Sequence, residues 1–530
     1  MSKKIIAVLL AAVLSFSVFT LPASAAAGDI GEKIENGFYT VLEKAVMGLL
    51  FCINKTIPGY SSKWISEKDY DSKDFYPGES KFDTQEGDGA VWSLGYAGAS
   101  LIDGLDVMNG EYFLAGSLEV FKGRVPVEVT DDQRVRVFAL SDGSDVFVQA
   151  VVDGFGLSRK DVNIIRERVK DTAYANGVTS LNVSVLHQHS CIDTLGFNVP
   201  LLPALIFNSA NSLFFGTLEK LKQKRNAEFI ENLYSKTAQC ITAALSSMKE
   251  GRLYYGEADI GEYIRDKRTP YFYDEMIHRL RFVPSDGSEE TWILEAGIHA
   301  TNFGAAADVL TADYPYYLEK TIREDKGANT VFVQGAELAI ATDRTLTDVE
   351  ELSTKENVEL YAKAIADRVY ATENELELKP ILNVSHKEVK IKIENQIHIL
   401  AAKEDLLSAV VVKDGFNVKM VTEIGYLELG GKVAVFICPG EFEAGLIYDG
   451  PVTTKEESRT GEGWDYEALE KKTGMEYVMV FGICNDQSGY VMTDNAYRSL
   501  FTENEEANVL SRTIGSTYMK EYASLIESVK

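Results

Sequence analysis

The sequence predicts an α/β fold of mixed β-sheets flanked by helices. Three observations predict it. Apolar and β-branched runs separated by turn residues recur from Val91 onwards. A capped helical stretch stands between two of them, in the strand–helix–strand rhythm of an α/β domain. The last third of the chain returns to runs of the same kind.

In chain order, residues 29–55 carry Ile30, Ile34, Phe38, Leu42 and Val46 at helical spacing, so a helix is expected there. Residues 56–90 are polar and rich in turn formers, as a linker is. "RVRVFAL" (134–140), "SDGSD" and "VFVQAVV" (146–152) read as a hairpin. The next helix starts at an N-cap, Ser158, and stops at Gly177, and a strand follows at 181–186. Residues 198–216, "NVPLLPALIFNSANSLFFG", are the most apolar stretch of the chain after its N-terminus. A helix is expected over 218–248 and a strand over 251–260. "HRLRFVP" (278–284) and "TWILEAGIHA" (291–300) form a second hairpin, and helices follow near 313–325 and 356–373. Strands are then expected at 389–397, 426–441 and 476–485. The chain divides into residues 1–25, a helix and linker over 26–90, and one large domain over 91–530.

The formal net charge of −27 repels phosphate backbones, which excludes nucleic acid as a partner class. "MSKK", the apolar run after it and "ASA" at 23–25 read as a bacterial secretory signal peptide cleaved after Ala25, so the mature protein is expected to be exported, secreted or held at the cell surface. Five cysteines without a CxxC pair exclude both a disulfide framework and a thiolate zinc site.

The chemistry gathers at strand ends. "LNVSVLHQHSCIDT" (181–194) carries two of the six histidines, His187 and His189, at i and i+2. On a strand that spacing puts both on one face, where they form either a metal site or a structural pair. "TWILEAGIHA" delivers His299, "KVAVFICPGEF" delivers Glu441 after a Pro-Gly turn, and "EYVMVFGICNDQSGYVMT" delivers Asp486 and Tyr490. The HxHxDH hydrolase pattern is not met, because Asp193 comes two places late and no histidine follows it.

These segments, in this order, resemble the N-terminal catalytic domain of the neutral/alkaline non-lysosomal ceramidases. "LHQHSC" is similar to that family's "THTHSG", "KRTP" with Arg268 to "NRSP", "AGIHAT" to its isolated histidine motif, and "CNDQSGYVMT" to "CNxYxxYxTT". "PGEF" is present unchanged, and "RVRVFAL" is similar to "RARAFVI". The resemblance runs from about Val91 to the end. It departs at "GDVSPN", where this chain has "LAIATD" after "VFVQGAE", and at "CIDTLG", which brings Cys191 and Asp193 near the histidines. The family's C-terminal immunoglobulin-like domain has no counterpart.

The resemblance implies one zinc ion held by His187, His299, Glu441 and Tyr490, with His189 and Arg268 as catalytic side chains. It implies a zinc-dependent amidohydrolase acting on an N-acyl lipid such as ceramide. Residues 198–216 would supply an apolar wall in contact with acyl chains, micelles or membranes. A zinc esterase, lactonase or amidase on another substrate would use the same ligands, and a non-catalytic zinc-stabilised surface protein could retain them.

Overall fold

Strands buried on both faces give the continuous apolar runs of the sequence; Val146–Val152, for one, is buried at every residue. The computed structural model describes residues 29–56, 64–73, 75–116, 123–196, 201–211, 225–304, 307–343, 354–404, 406–499 and 505–530. The expected signal peptide, and residues 198–200 and 212–216 of the apolar stretch, lie outside the described residues.

Among the described residues two mixed sheets dominate, of nine and six strands. The strands that matter below are β1 (Trp92–Ser100), β2 (Arg134–Ser141), β3 (Val146–Val152), β4 (Val178–Val185), β5 (Lys249–Asp259), β6 (Ile264–Asp266), β7 (Met276–Pro284), β8 (Thr291–Ala296), β9 (Asn329–Gln334), β10 (Ile340–Thr342), β11 (Leu376–Leu378), β12 (Leu382–Lys392), β13 (Val411–Asp414), β14 (Asn417–Leu429), β15 (Val433–Ile437), β16 (Glu441–Phe442), β17 (Tyr477–Phe481) and β18 (Tyr490–Val491). The larger sheet runs β9-β8-β7-β5-β1-β2-β3-β4, with β11 also on β5. The smaller runs from Ile65–Ser66 through β13, β14 and β15 to β17, with β12 on the other side of β14. Both expected hairpins form: β2 pairs antiparallel with β3, and β7 with β8. β3 and β4 are parallel, joined through the helix α2 (Arg159–Ala175). Ser158 caps α2 as expected, in a reciprocal pair with Asp161.

Alternation along the strands builds the layers. On β2, Val135, Val137 and Ala139 face α2 and a second helix, while Phe138 and Leu140 face inward. In the other sheet Val433, Val435 and Ile437 join that same inner core. Ala434 and Phe436 face a C-terminal helix, Ile514–Val529. The order is therefore helix, sheet, sheet, helix. The expected helix over 218–248 is observed at Ala227–Ser246, capped by Asn226, and those near 313–325 and 356–373 at Asp313–Lys326 and Thr354–Tyr370. Two elements differ. Residues 426–441 are not one strand: β14 ends at Leu429, and β15 starts again at Val433 and pairs back on it. Residues 389–397 are not one strand: β12 ends at Lys392, and the Asn395 side chain caps a helix, Gln396–Lys403. The N-terminal helix, α1 (Asp29–Thr56), buries Val46, Leu50 and Ile53 against that helix and against Ala204 and Leu205 of α3 (Leu201–Ala210). Among the described residues no helix is long and apolar enough to cross a membrane.

Two interactions lock the sheets together. The strip Gly482–Asn485 lies between both edges of the larger sheet. Gly482 N–H donates to Gln334 of β9 (2.7 Å), Val185 N–H of β4 donates to Ile483 (3.3 Å), and Asn485 N–H donates to Val183 (2.8 Å). Position 482 has to be glycine, because a Cβ there would stand 2.4 Å from the Gly335 carbonyl oxygen. Beside it lies a buried ion cluster. Glu423 of β14 accepts from Arg166 (2.7 and 3.1 Å) and Arg159 (3.2 Å) of α2, and from the Asn485 amide (3.0 Å).

Burial alone would raise the Glu423 pKa, but the Arg166 and Arg159 charges more than reverse this and hold the carboxyl well below the usual carboxylate range. Breaking such a cluster leaves two buried guanidiniums short of a partner, so Glu423→Gln should destabilise the protein by about 3–5 kcal/mol, read as a fall in melting temperature. Because the folded pKa is depressed, the Glu423 contribution is present above the unfolded pKa of about 4.3 and is lost as pH falls below it. The gap between wild type and Glu423→Gln should therefore narrow progressively as pH falls from about 5 towards the depressed folded pKa. A gap that stays constant with pH would show that the charge is not what stabilises.

Candidate metal and active site

β4 ends at Val185, so His187 and His189 sit beyond the strand and not on it. Their convergence does not come from the strand pleat. His187 adopts left-handed backbone (φ 51°), a conformation that costs a non-glycine residue about 1–3 kcal/mol. It is pinned there by its ring, whose Nδ1 donates to the Phe155 carbonyl (2.8 Å) and which stacks on the Phe155 side chain. The His187 and His189 rings then meet edge-on, with centroids 4.9 Å apart.

His299 arrives from the other end of the same sheet, three residues past β8. Its Nδ1 donates to the Ile340 carbonyl of β10 (2.8 Å), and its ring lies 5.1 Å from that of His187. Glu441 and Tyr490 come from the smaller sheet's side. β16 and β18 pair in parallel with these two residues in register, which sets Tyr490 beside Glu441.

The four groups fit a cation. A carbonyl oxygen only accepts, so Nδ1 of His187 and of His299 must carry the proton and each Nε2 presents a lone pair. Those lone pairs face the two oxygens of one carboxylate: His299 Nε2 lies 3.1 Å from Glu441 Oε2, and His187 Nε2 lies 3.5 Å from Glu441 Oε1. Burial holds both rings in the neutral form, pushing His299 down to about 3 with help from the Lys267 charge. Lone pairs facing a carboxylate in a dry site need a positive charge between them. Ligands about 2.0–2.1 Å from a tetrahedral zinc ion stand about 3.3 Å apart, which is the spacing seen here.

His189 is held differently. Its carbonyl accepts from the buried Arg124 guanidinium (2.7 Å), but both of its ring nitrogens are buried without a hydrogen-bond partner. Burial, reinforced by His187 and His299, depresses its pKa well below the usual value.

The structure thus brings His187, His189, His299, Glu441 and Tyr490 together. It does not bring Arg268 to them. The Arg268 guanidinium is buried and donates to Glu506 (2.8 Å) and to the Ala496 carbonyl (2.6 Å), so it closes an ion pair where the sequence suggested a substrate contact. Asp486 organises its own loop by accepting from the backbone N–H of Arg159 (2.9 Å) and Gln487 (3.0 Å). Asp193 accepts from Leu195 and Gly196 N–H as a turn cap, and the buried Cys191 thiol donates to the Gln188 carbonyl. Two side chains at the cluster were not singled out from the sequence. Gln487 donates to Glu441 Oε1 (3.4 Å), and the buried Glu337 lies 3.5 Å from His299 Nδ1. The signal for Glu337 was present, since "VFVQGAE" is one more apolar strand ending in a carboxylate.

No family model and no curated protein matches this chain. Solved structures do. Neutral ceramidase from Pseudomonas aeruginosa aligns with a TM-score of 0.59 at 15% identity, over 82% of this chain and 74% of that one. A ceramidase complexed with C2 aligns with a TM-score of 0.58 at 13% identity, over 82% and 75%. The chain has the same mixed α/β fold as these enzymes.

Arg268→Ala would leave Glu506, which has no exposed surface, buried without its cation. The expected loss is about 3–5 kcal/mol of stability, measured as a lower melting temperature. An unchanged melting temperature would show that the Arg268–Glu506 pair does not hold the fold together.

Proposed function

We propose that this chain is an exported, zinc-dependent hydrolase that cleaves the amide bond of an N-acyl lipid such as ceramide. His189 carries the reading. A half-buried histidine whose two ring nitrogens are both shut from solvent and unpartnered is costly to keep in a folded protein, and it makes sense where a substrate or water completes it. Here it stands beside two histidines whose tautomers are fixed for metal binding. The likeness of the fold to neutral ceramidases supports the reaction class. The "MSKK" to "ASA" segment supports export.

His187, His299, Glu441 and Tyr490 would hold the zinc, and Gln487 steadies Glu441 from the side. Zinc, when bound, supplies a Lewis acid that polarises the amide carbonyl and makes an adjacent water acidic enough to react near neutral pH. His189 does the proton work. With its pKa depressed it is a free base at neutral pH, so a ring nitrogen accepts the proton of the attacking water. The same nitrogen then passes that proton to the amide nitrogen as the carbon–nitrogen bond breaks. Phe155 stacks on His187 and meets His189 edge-on, which fixes the angle between ligand and base. An acyl chain would follow α3, where Ala204 and Leu205 are buried against α1 and Phe207 stays 38% exposed.

Purified protein should retain about one zinc ion per chain after dialysis. His187→Ala, His299→Ala and Glu441→Ala should lose it. His189→Ala should keep the metal and lose about 10²–10⁴-fold in turnover. Absence of zinc from metal-supplemented wild type would remove the proposal, and equal metal loss in all four variants would assign His189 to the metal instead. A panel of N-acyl sphingoid bases against short acyl amides and esters tests the substrate class. Within that panel, Phe207→Ser should raise KM for long-chain amides by about fivefold, the equivalent of roughly 1 kcal/mol of apolar contact. Short-chain turnover should not move. Loss independent of chain length would make Phe207 a packing residue only.

A further inference from the structure

Glu337 is wholly buried, yet nothing above gives its carboxylate a task. It lies in the turn between β9 and β10, three residues after Gln334 and three before Ile340, the residue that holds His299. Its Oε2 accepts a hydrogen bond from the Gln334 side-chain amide. Its Oε1 has no partner. Glu337 does not orient His299 by hydrogen bonding, because the His299 Nδ1–H is already given to Ile340 at 2.8 Å and the carboxylate stands 3.5 Å away. Donor atoms of His299, Glu337 and Glu441 instead lie within 4.8 Å of one another, as compact a set as the three histidines themselves.

Two carboxylates this close in a site shut from water repel each other and call for a cation. Lys267 is the cation whose charge reaches both carboxylates, but it forms no ion pair with either among the described residues. A divalent cation would balance two carboxylates among neutral imidazoles without remainder.

We propose that Glu337 is itself a metal ligand, with its free Oε1 completing a second carboxylate contact beside Glu441 while His189 stays outside the coordination sphere. The assignment rests on the zinc reading above and adds a donor to it. With His187, His299, Glu441 and Tyr490 it makes a five-donor set, a higher coordination number than a four-ligand zinc site has.

The test is zinc affinity by chelator competition, together with the visible absorption of the Co(II)-substituted protein, which is weak for five-coordinate and strong for four-coordinate cobalt. Glu337→Gln keeps the shape and the Gln334 contact. It should lower zinc affinity by more than about 100-fold, beyond the roughly 10–100-fold typical of a residue that only supports a ligand. The Co(II) band should strengthen. The metal-free variant should melt no lower than metal-free wild type, because the shape and the Gln334 contact are kept, and this controls for folding. A folded variant with an unchanged Co(II) spectrum overturns the assignment, whatever its affinity. Failure of wild type to bind zinc or cobalt would instead overturn the proposed function, so the two failures are distinguishable.

Discussion

The strip Gly482–Asn485 is the interaction on which the rest of this structure depends. It hydrogen-bonds to β9 on one side and to β4 on the other, so both edges of the nine-stranded sheet end on the same four residues. Its other contacts reach the smaller sheet, with Cys484 N–H donating to Cys438 (2.9 Å) and Ile483 N–H to Gly440 (3.3 Å). His187 follows β4 by two residues, Glu337 follows β9 by three, Glu441 follows Gly440 and Tyr490 follows Asn485 by five. These side chains are neighbours because the strip makes their strand ends neighbours. The bonds also satisfy backbone groups that two open edges would otherwise leave for pairing with other chains.

The chain carries a net charge of −27, and several of its buried carboxylates are paired with arginine. Glu423 is shared by Arg159 and Arg166, Glu506 is matched by Arg268, and Arg136 lies 2.7 Å from Asp153. Such clusters add little net stability over apolar packing but are costly to break, so they fix how the helices and sheets sit relative to one another. Other buried carboxylates are met by neutral donors, as Asp131 is by Thr311 and Ala312 and Glu428 by Tyr426. In the histidine–carboxylate cluster the histidines are neutral, and among the described residues no guanidinium stands against Glu337 or Glu441.

Much of this was legible in the sequence, for identifiable reasons. Strands and hairpins declared themselves because their apolar runs are bounded by turn residues. Residues 389–397 misled because alternation continued to Ile393 while Asn395 was already a helix cap, and the cap prevailed. His187 and His189 were found by spacing, but what brings them together is a left-handed turn pinned by Phe155, which spacing cannot reveal. The division of the pair into ligand and base came from family resemblance and not from spacing. Arg268 could not be read correctly, because the partner that claims it, Glu506, is 238 residues away. Glu337 was passed over because its segment was judged by the motif it lacked and not by the carboxylate it carries.

The strip also sets an order of events during folding. Contacts that close the larger sheet join residues 183–185 to 483–485 and residue 334 to 482, separations that only slow, late steps can bridge. A growing chain can form the β2–β3 hairpin, α2 and the β7–β8 hairpin early, but its two sheet edges stay open until the strip has been made. Until then His187 and His299 have no carboxylate from Glu441 beside them. Partial chains are therefore exposed to edge pairing. The cluster of His187, His299 and Glu441 comes together only when the last strand ends have docked, so its assembly is a direct report on whether a given molecule has finished folding.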